Sequence, residues 1–267
     1  MIYAKSRNPQ VPLGAWREIL FPLVDKPQIQ KMTMRDKKVV VLTGAGVSAE
    51  SGVRTFRDND GLWEDHRVED VATPEAWRVD PVLVWRFYQA RRNQLLEVDE
   101  NPAHIAIAKL ESEIEDFTLI TQNVDDLHER GGSKSVIHMH GQLRTLRCEN
   151  SGESEERIGQ DDLSEEFVKC NCCSKPSRMR PDIVWFGEIP MFMEEIYTAV
   201  EECDVFVVVG SSGHVYPAAG LIQVANQTGA HTILVNYEVP INGHQFDEIH
   251  VGKAGEVLPE LVESWLD

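Results

Sequence analysis

The stretch VVVLTGAGVSAESGVRTFRDNDGLWED, from Val39 to Asp65, constrains the fold more than any other part of the chain. Its apolar run, Val39 to Leu42, has the composition of a strand buried on both faces of a parallel sheet. Thr43-Gly44-Ala45-Gly46 follows, and glycines let a backbone turn sharply and let phosphates approach it closely. Ser48 then offers a cap for a helix start. Strand, glycine turn and helix start make the phosphate-binding half of a dinucleotide fold, and Gly44, Gly46 and Ala49 fit G-x-G-x-x-A. An ordinary unit of that kind continues through a helix into a second strand that ends in an acid about 20 residues on. Here Ser51-Gly52 breaks the segment, and Arg54-Thr55-Phe56-Arg57-Asp58 leads to Gly61-Leu62-Trp63 without a strand-like run. The stretch reads as a loop folding over a bound ligand. The plainer reading is a surface loop with one buried Phe.

The whole stretch resembles the signature of the sirtuin family, G-A-G-x-S-x-x-S-G-[IV]-x-x-F-R followed by G-L-W. Its Arg-Thr-Phe-Arg version looks like the bacterial CobB type, and Thr55 stands where many members carry Asp. Sirtuins are NAD-dependent protein-lysine deacylases. The resemblance implies an α/β fold, a Rossmann-like parallel sheet domain with a small inserted zinc-binding module. It places the catalytic domain at 36–267 and the module at about 141–180. It also implies that Gly44, Ala45, Gly46, Ser48, Glu50, Ser51, Phe56, Arg57 and Trp63 bind NAD.

The formal net charge of −18 argues against nonspecific nucleic-acid binding and favours cationic partners such as lysine-rich protein surfaces. Residues 1–38 run against that balance, with eight Lys/Arg and three Asp/Glu, so the acidity lies downstream. Residues 1–35 show no periodicity and read as an extension, disordered or draped on the domain, and Met32 and Met34 offer later starts. Four of the five cysteines fall between Cys148 and Cys173, which is no secreted disulfide framework. No apolar run has membrane-spanning length and no secretory signal is visible, so a cytoplasmic monomer with no membrane partner is the expectation.

Thr73-Pro74-Glu75 and Asp80-Pro81 read as helix starts, the second helix running to about Glu97. On it Tyr88 and Arg91 are neighbours, which fits an amphipathic helix with a snorkelling Arg. The Tyr-x-x-Arg pair also resembles the feature of sirtuins that remove succinyl and malonyl groups. That likeness implies that Arg91 pairs with the acyl carboxylate while Tyr88 donates a hydrogen bond.

Asn101-Pro102 begins a helix to about Glu113, and Phe117 to Thr121 is a short strand. Gln122-Asn123-Val124-Asp125 lies beyond its C-terminal end, where open α/β sheets bind ligands. A turn with a helix cap is the alternative. The segment resembles the sirtuin T-Q-N-[IV]-D motif, which implies that Gln122, Asn123 and Asp125 hold the nicotinamide ribose and shape its pocket, with Asn123 catalytic. In the extended segment Val136 to Gly141, His138 and His140 face the same way. They read as a metal pair, as two structural histidines or as one general base. His140-Gly141 resembles the catalytic H-G of sirtuins, so His140 is the expected base and His138 structural.

Cys148 and Cys170-Asn171-Cys172-Cys173 bracket a polar, acidic insert. Paired C-x-x-C motifs would signal structural zinc, but Ser151 stands where the first pair needs its second cysteine. Cys148, Cys170, Cys173 and, as an open option, Cys172 are left to supply thiolates to zinc; Cys170 with Cys172 is too tightly spaced for the usual knuckle, so Cys170 with Cys173 is preferred and the fourth ligand stays open. The alternative is a loop that has lost its metal.

Arg180 to Glu188, RPDIVWFGE, resembles the sirtuin segment R-P-x-[IV]-V-x-F-G-E. It implies that a substrate peptide adds as a strand along Val184, Phe186, Gly187 and Glu188, with Val184 and Phe186 lining an acyl-lysine tunnel. Gly213-His214-Val215 would form the opposite wall. Asp204 to Val209 and Thr232 to Val235 read as core strands, ending in Gly210-Ser211-Ser212 and in Asn236-Tyr237-Glu238. The resemblance makes both ends NAD contacts and brings Ala254 to the adenine.

The chemistry implied is attack of the acyl-lysine carbonyl oxygen on the anomeric carbon of the nicotinamide ribose. His140 then removes a ribose hydroxyl proton, and the products are lysine, nicotinamide and 2′-O-acyl-ADP-ribose. No hydride moves, which fits the missing second half of an ordinary dinucleotide unit. The rivals are mono-ADP-ribosyl transfer to protein and an NAD-sensing module without turnover.

Overall fold

The computed structural model describes residues 33–53, 62, 63, 66–156, 167–211 and 218–267. Six strands form one parallel sheet: β1 (Val39–Thr43), β4 (Phe117–Thr121), β5 (Val136–His138), β9 (Val205–Val209), β10 (His231–Asn236) and β11 (Glu248–Val251). Their order is β11-β10-β9-β1-β4-β5. Counted along the chain within this sheet, that order is 3-2-1-4-5-6 read from β5, the arrangement of doubly wound dinucleotide folds. The connection reverses direction between β1 and β9. Val39 pairs with both Phe117 and Val205, so β1 sits at the centre.

The central strands read as apolar runs because both faces are covered. Val40, Leu42, Phe206, Val208 and Leu234 join Ile196 and Val200 of α7 (Met193–Glu202) and Leu221 and Ile222 of α8 (Ala218–Thr228) in one core. The alternate residues of those strands face the other side, where α5 (Pro102–Glu113) and α9 (Ala254–Leu266) pack on each other and on the sheet. Met34 is fully buried and its N–H donates to Trp265 O at 2.8 Å, while Arg35 donates to Leu266 O. Met34 and Arg35 are thus packed against the C-terminal helix.

A second core lies beside the sheet. It is built from α2 (Val68–Val71), α3 (Pro74–Val79) and α4 (Pro81–Leu95) against an antiparallel sheet. That sheet consists of β7 (Ser154–Glu156), β6 (Gly141–Cys148) and β8 (Met179–Ile183) in this order. Thr73 and Asp80 cap α3 and α4, each followed by Pro, as the sequence suggests. The filling is aromatic: Trp77, Trp85, Phe87, Tyr88 and Trp185 are all buried there, with Cys148 and Cys170 at its border. The remaining elements are α1 (Ala45–Ala49), the hairpin β2 (Leu62–Trp63) with β3 (His66–Arg67), and α6 (Leu127–Arg130).

Candidate active site

The cradle forms at the C-terminal ends of β1 and β9, where the sheet reverses direction. Gly44 N donates to Val209 O at 2.9 Å and Gly46 N to Gly210 O at 2.8 Å, so the two loops touch through backbone. A Cβ on Gly44 would come within 2.8 Å of Ser211 Cα, and one on Gly46 within 2.8 Å of Gly210 Cα. Only glycine allows that approach, which is the condition for backbone to line a pyrophosphate. Gly44 itself is the N-cap of α1; Ser48 is not a cap, as the sequence suggested, but a buried residue inside the helix. Capping falls to Gly44 because the turn is so tight that helix geometry begins at Ala45.

Ser48 instead serves the loop after β4. Its hydroxyl oxygen accepts from Asn123 Nδ2 at 2.9 Å, and its own proton supports the Asp125 carboxylate. Asn123 Nδ2 also donates to Gly44 O at 3.2 Å. Both amide hydrogens of Asn123 are thus spent on the glycine loop, and what it offers a ligand is its carbonyl oxygen. Gln122 Nε2 likewise reaches Ser211 Oγ at 3.0 Å, tying the β4 loop to the β9 loop. Burial pushes the carboxyl of Asp125 up, against the hydrogen bonds from Ser48 and the Leu127 N–H.

His140 Nδ1 lies 3.0 Å from Gln122 O. A carbonyl only accepts, so the ring proton is assigned to Nδ1 and the lone pair to Nε2. Burial lowers its pKa, opposed by that backbone bond, so Nε2 is a neutral base near pH 7. His138 is fully enclosed, with Nδ1 at 3.1 Å from Asn123 O and Nε2 at 2.8 Å from Glu129. It ties the loop after β4, at Asn123 O, to Glu129 of α6.

A further layer was not visible in the sequence. Asn123 N donates to Thr121 Oγ1 at 3.0 Å, Thr43 Oγ1 donates to Thr121 Oγ1 at 2.8 Å, and His128 Nε2 meets Thr43 Oγ1 at 2.9 Å. With its own proton spent on Thr121, Thr43 accepts from His128. His128 packs edge-on against His104, ring centroids 5.0 Å apart. Burial lowers both pKa values, that of His104 to about 4, so this floor is neutral. Asn101 completes it: its side chain caps α5, and its Nδ2 donates to Val47 O at 2.8 Å and to Ser51 Oγ at 2.9 Å. The N-P-x-H spacing, an N-cap with a side-chain partner at N3, was the signal for Asn101 and His104.

On the aromatic side Tyr88 is buried and its hydroxyl accepts from Trp185 Nε1 at 3.0 Å. Arg91 is also buried, 5% exposed, on the same helix. Val184 N donates to His140 O at 2.9 Å and Phe186 N to Ala72 O at 3.0 Å, so the segment after β8 runs past His140. Phe186 is half-exposed, and Gly187 takes φ +93°. The Glu188 carboxylate receives two bonds from Arg180 and one from Trp185 N, so that side chain braces the segment.

The four sulfurs of Cys148, Cys170, Cys172 and Cys173 lie within 4.8 Å of one another. Cys148 and Cys172 stand 3.8 and 3.7 Å from Cys173. A tetrahedral zinc with arms of ~2.3 Å has edges of ~3.8 Å, so the donor set fits that metal. Cys172, left an open option on spacing, belongs to this cluster. Its sulfur sits 3.0 Å from Ser151 Oγ and fills the corner that Ser151 leaves without a thiol. The hydroxyl and N–H of Ser151 draw the Cys148 thiol down to about 6, toward the thiolate a metal needs.

Toward the other end of the sheet, Glu50 accepts from Gly255 N at 3.0 Å at the start of α9, beside the buried Ala254. Asn236 is buried with its Nδ2 on Glu238 O at 2.8 Å, and Tyr237 is 73% exposed. Phe56, Arg57, Ser212, Gly213, His214 and Val215 lie outside the described residues, as does the side chain of Trp63. Among the described residues no helix is long and apolar enough to cross a membrane.

The Sir2 family model matches residues 44–217. The chain is 56% identical over 236 residues to the NAD-dependent protein deacylase of Yersinia pseudotuberculosis, covering 87% of this chain and 84% of that protein. It is 53% identical to the NAD-dependent protein deacylase of Escherichia coli strain K12, covering 87% of this chain and 84% of that one. A Sir2 homologue solved with NAD aligns with a TM-score of 0.78 at 42% identity, over 86% of this chain and 90% of that one. A mutant Sir2 homologue solved with 2′-O-acetyl ADP-ribose gives 0.78 at 42%, over 87% and 94%. Identity above one half across most of two chains, over a sheet that winds the same way, leaves one assignment: this chain belongs to the Sir2 family.

Proposed function

We propose that the chain removes acyl groups from protein lysines at the expense of NAD, with the site residues in the roles below. The observation that carries the proposal is the convergence, at the C-terminal ends of β1, β4, β5 and β9, of a backbone cradle and a neutral histidine base. The relatives named above as NAD-dependent deacylases support it.

NAD fits the cradle because Gly44 and Gly46 leave backbone in place of side chains there, and it supplies a ribose carbon from which nicotinamide can be displaced. The α1 and β9 loops hold its phosphates. Asn123 and Gln122, their amide hydrogens already committed, turn carbonyl oxygens to the ribose hydroxyls. Asp125 closes the nicotinamide end. His140 Nε2 takes a ribose hydroxyl proton, and its Nδ1–H on Gln122 O keeps the ring in the productive tautomer. The acylated lysine enters along Val184 to Glu188, in extended form beside His140. Thiolates of the four-cysteine cluster would hold zinc, which cross-links β6 to the Cys170–Cys173 turn.

Acetyl and succinyl-type groups are both substrates in this reading. A carboxylate entering an apolar tunnel is costly unless it meets a charge and hydrogen bonds, which Arg91 and Tyr88 provide. Incubation with NAD and acetyl- or succinyl-lysine peptides is expected to yield nicotinamide and O-acyl-ADP-ribose by mass spectrometry. ADP-ribose left on the peptide or protein would point to the rival transferase instead.

A further inference from the structure

The segment Val184 to Glu188 leaves β8 and ends in a turn. Glu188 N donates to Trp185 O at 2.9 Å, and Gly187 takes φ +93°, as the third residue of a type II turn does. Arg180, on β8 itself, grips that turn at three points. Its guanidinium donates to Ile183 O at 2.8 Å, where the segment begins. It donates to both carboxylate oxygens of Glu188, at 2.8 and 2.9 Å, where the segment ends. Between them its guanidinium carbon lies 3.5 Å from the centroid of the Trp185 ring. Glu188 Oε2 in turn accepts from Trp185 N at 2.8 Å, so the carboxylate fastens the inside of the turn.

The pair is bidentate and mostly shielded, the side chains of Arg180 and Glu188 being 12% and 24% exposed, so it is no screened surface contact. Burial by itself would raise the Glu188 pKa, but the bonds from Arg180 and Trp185 N outweigh it and hold the carboxyl below its usual range. Arg147 of β6 adds a second cation 3.9 Å from Glu188. We propose that Arg180 is a positioning residue for the protein substrate: it pre-forms the Val184–Glu188 segment on which the acyl-lysine peptide docks. It acts through Glu188 and Ile183 O. The inference rests on the proposed reading of that segment as the docking strand. A peptide that needs the formed segment binds only the fraction of molecules that hold it, so loosening the turn raises the peptide KM by the inverse of that fraction. A peptide at saturation restores the segment, and the proposed NAD cradle stands on the loops after β1, β4 and β9, so kcat and the KM for NAD are spared.

The test measures kcat, the KM for one acetyl-lysine peptide and the KM for NAD in wild type, Arg180→Met, Glu188→Gln and the double variant. Arg180→Met is expected to raise the peptide KM about tenfold or more, with kcat and the KM for NAD within about twofold of wild type. Added to Glu188→Gln, the same change is expected to raise the peptide KM less than about threefold, since the arginine acts mainly through that carboxylate. A wild-type peptide KM in Arg180→Met overturns the proposal and leaves the deacylase reading standing. A rise that persists in full on the Glu188→Gln background also overturns it. So does a parallel loss in kcat and both KM values, because Arg180 would then support the fold at large. Wild type that turns over no acyl-lysine peptide overturns the functional reading and the proposal together. Arg180→Lys guards against a variant that fails to fold, since it keeps the charge and loses the paired fork. Its segment 184–188 should exchange amide hydrogens faster than wild type while β1 and β4 keep their protection. Unchanged exchange in that segment overturns the proposal.

Discussion

The two cores of this molecule are built from different material. The sheet core is aliphatic, with Val40, Leu42, Ile120, Val208 and Leu234 on one face, and its strands pair in uninterrupted parallel register. The second core is aromatic, centred on Trp77, Trp85, Tyr88 and Trp185, and its edge is made of cysteines. Strand pairing and buried aliphatic area hold the first without outside help. The second borders a cluster of four thiols that could hold a metal, and metal binding at such a site couples to folding. The proposed roles put NAD chemistry on the first core and acyl choice on the second, so under that proposal perturbing one should move a different quantity from perturbing the other.

The largest effect is expected at the seam. His140→Ala removes the base and should cost about 10²–10⁴-fold in kcat for deacetylation, with the melting temperature and NAD binding kept. Nicotinamide release and calorimetry together check it, and near-wild-type turnover would move the chemistry to another residue. Asn123→Ala and Asp125→Ala should weaken the same release, since both lie on the loop that orients the ribose. On the aromatic side Arg91→Met should lower the succinyl-to-acetyl ratio of kcat/KM roughly a hundredfold or more. Losing one partner of a buried charged pair costs about 3–5 kcal/mol, at about 1.4 kcal/mol per tenfold. A parallel fall in both activities would mean that the two cores are not separable.

Cys172→Ser should lower zinc per chain, read by atomic absorption, and cost about 2 kcal/mol, or several degrees in Tm. NAD affinity, which depends on the other core, should change little. A full zinc complement in this variant would return the ligand set to Cys148, Cys170 and Cys173 with a different fourth donor.

The last test addresses the sheet side by pH. Burial lowers the pKa of His104 in the folded state to about 4, while the unfolded chain binds its proton near 6.5. Below 6.5 the unfolded state therefore holds more protons, and stability falls as pH falls, by about 1.4 kcal/mol per pH unit until about pH 4. His104→Gln keeps a capping partner at N3 and removes the titration, so its denaturant midpoint should decline less steeply over that window.

Legibility in the sequence divides along the same line. β1, β4, β9 and β10 were readable because strands covered on both faces show as apolar runs. β11 was not, since an edge strand reading Glu-Ile-His-Val carries no such run. Gln122, Asn123, Asp125 and His140 lie in short motifs just beyond strand ends, where the fold rule points. What stayed hidden depends on partners far apart in sequence. Trp185 meets Tyr88 across 97 residues, and Asn101 meets Val47 across 54. Cys172 was left only an option by a spacing rule that assumes each ligand pair comes from one turn, and a sulfur reaching across to the Ser151 corner breaks that assumption.

The contact of Gly44 and Gly46 with Gly210 and Ser211 also bears on how such a site can be altered. The atoms that would line a pyrophosphate are the atoms that seat the two central strand ends against each other. One added methyl at Gly44 must push strand from strand before it reaches any ligand. A directed library at these positions would report on folding yield and say nothing about affinity. Among the described residues proposed to contact the dinucleotide, Glu50, Ser51 and Tyr237 at the perimeter present side chains that can change without prising the sheet apart, and preference among dinucleotides would be retuned there.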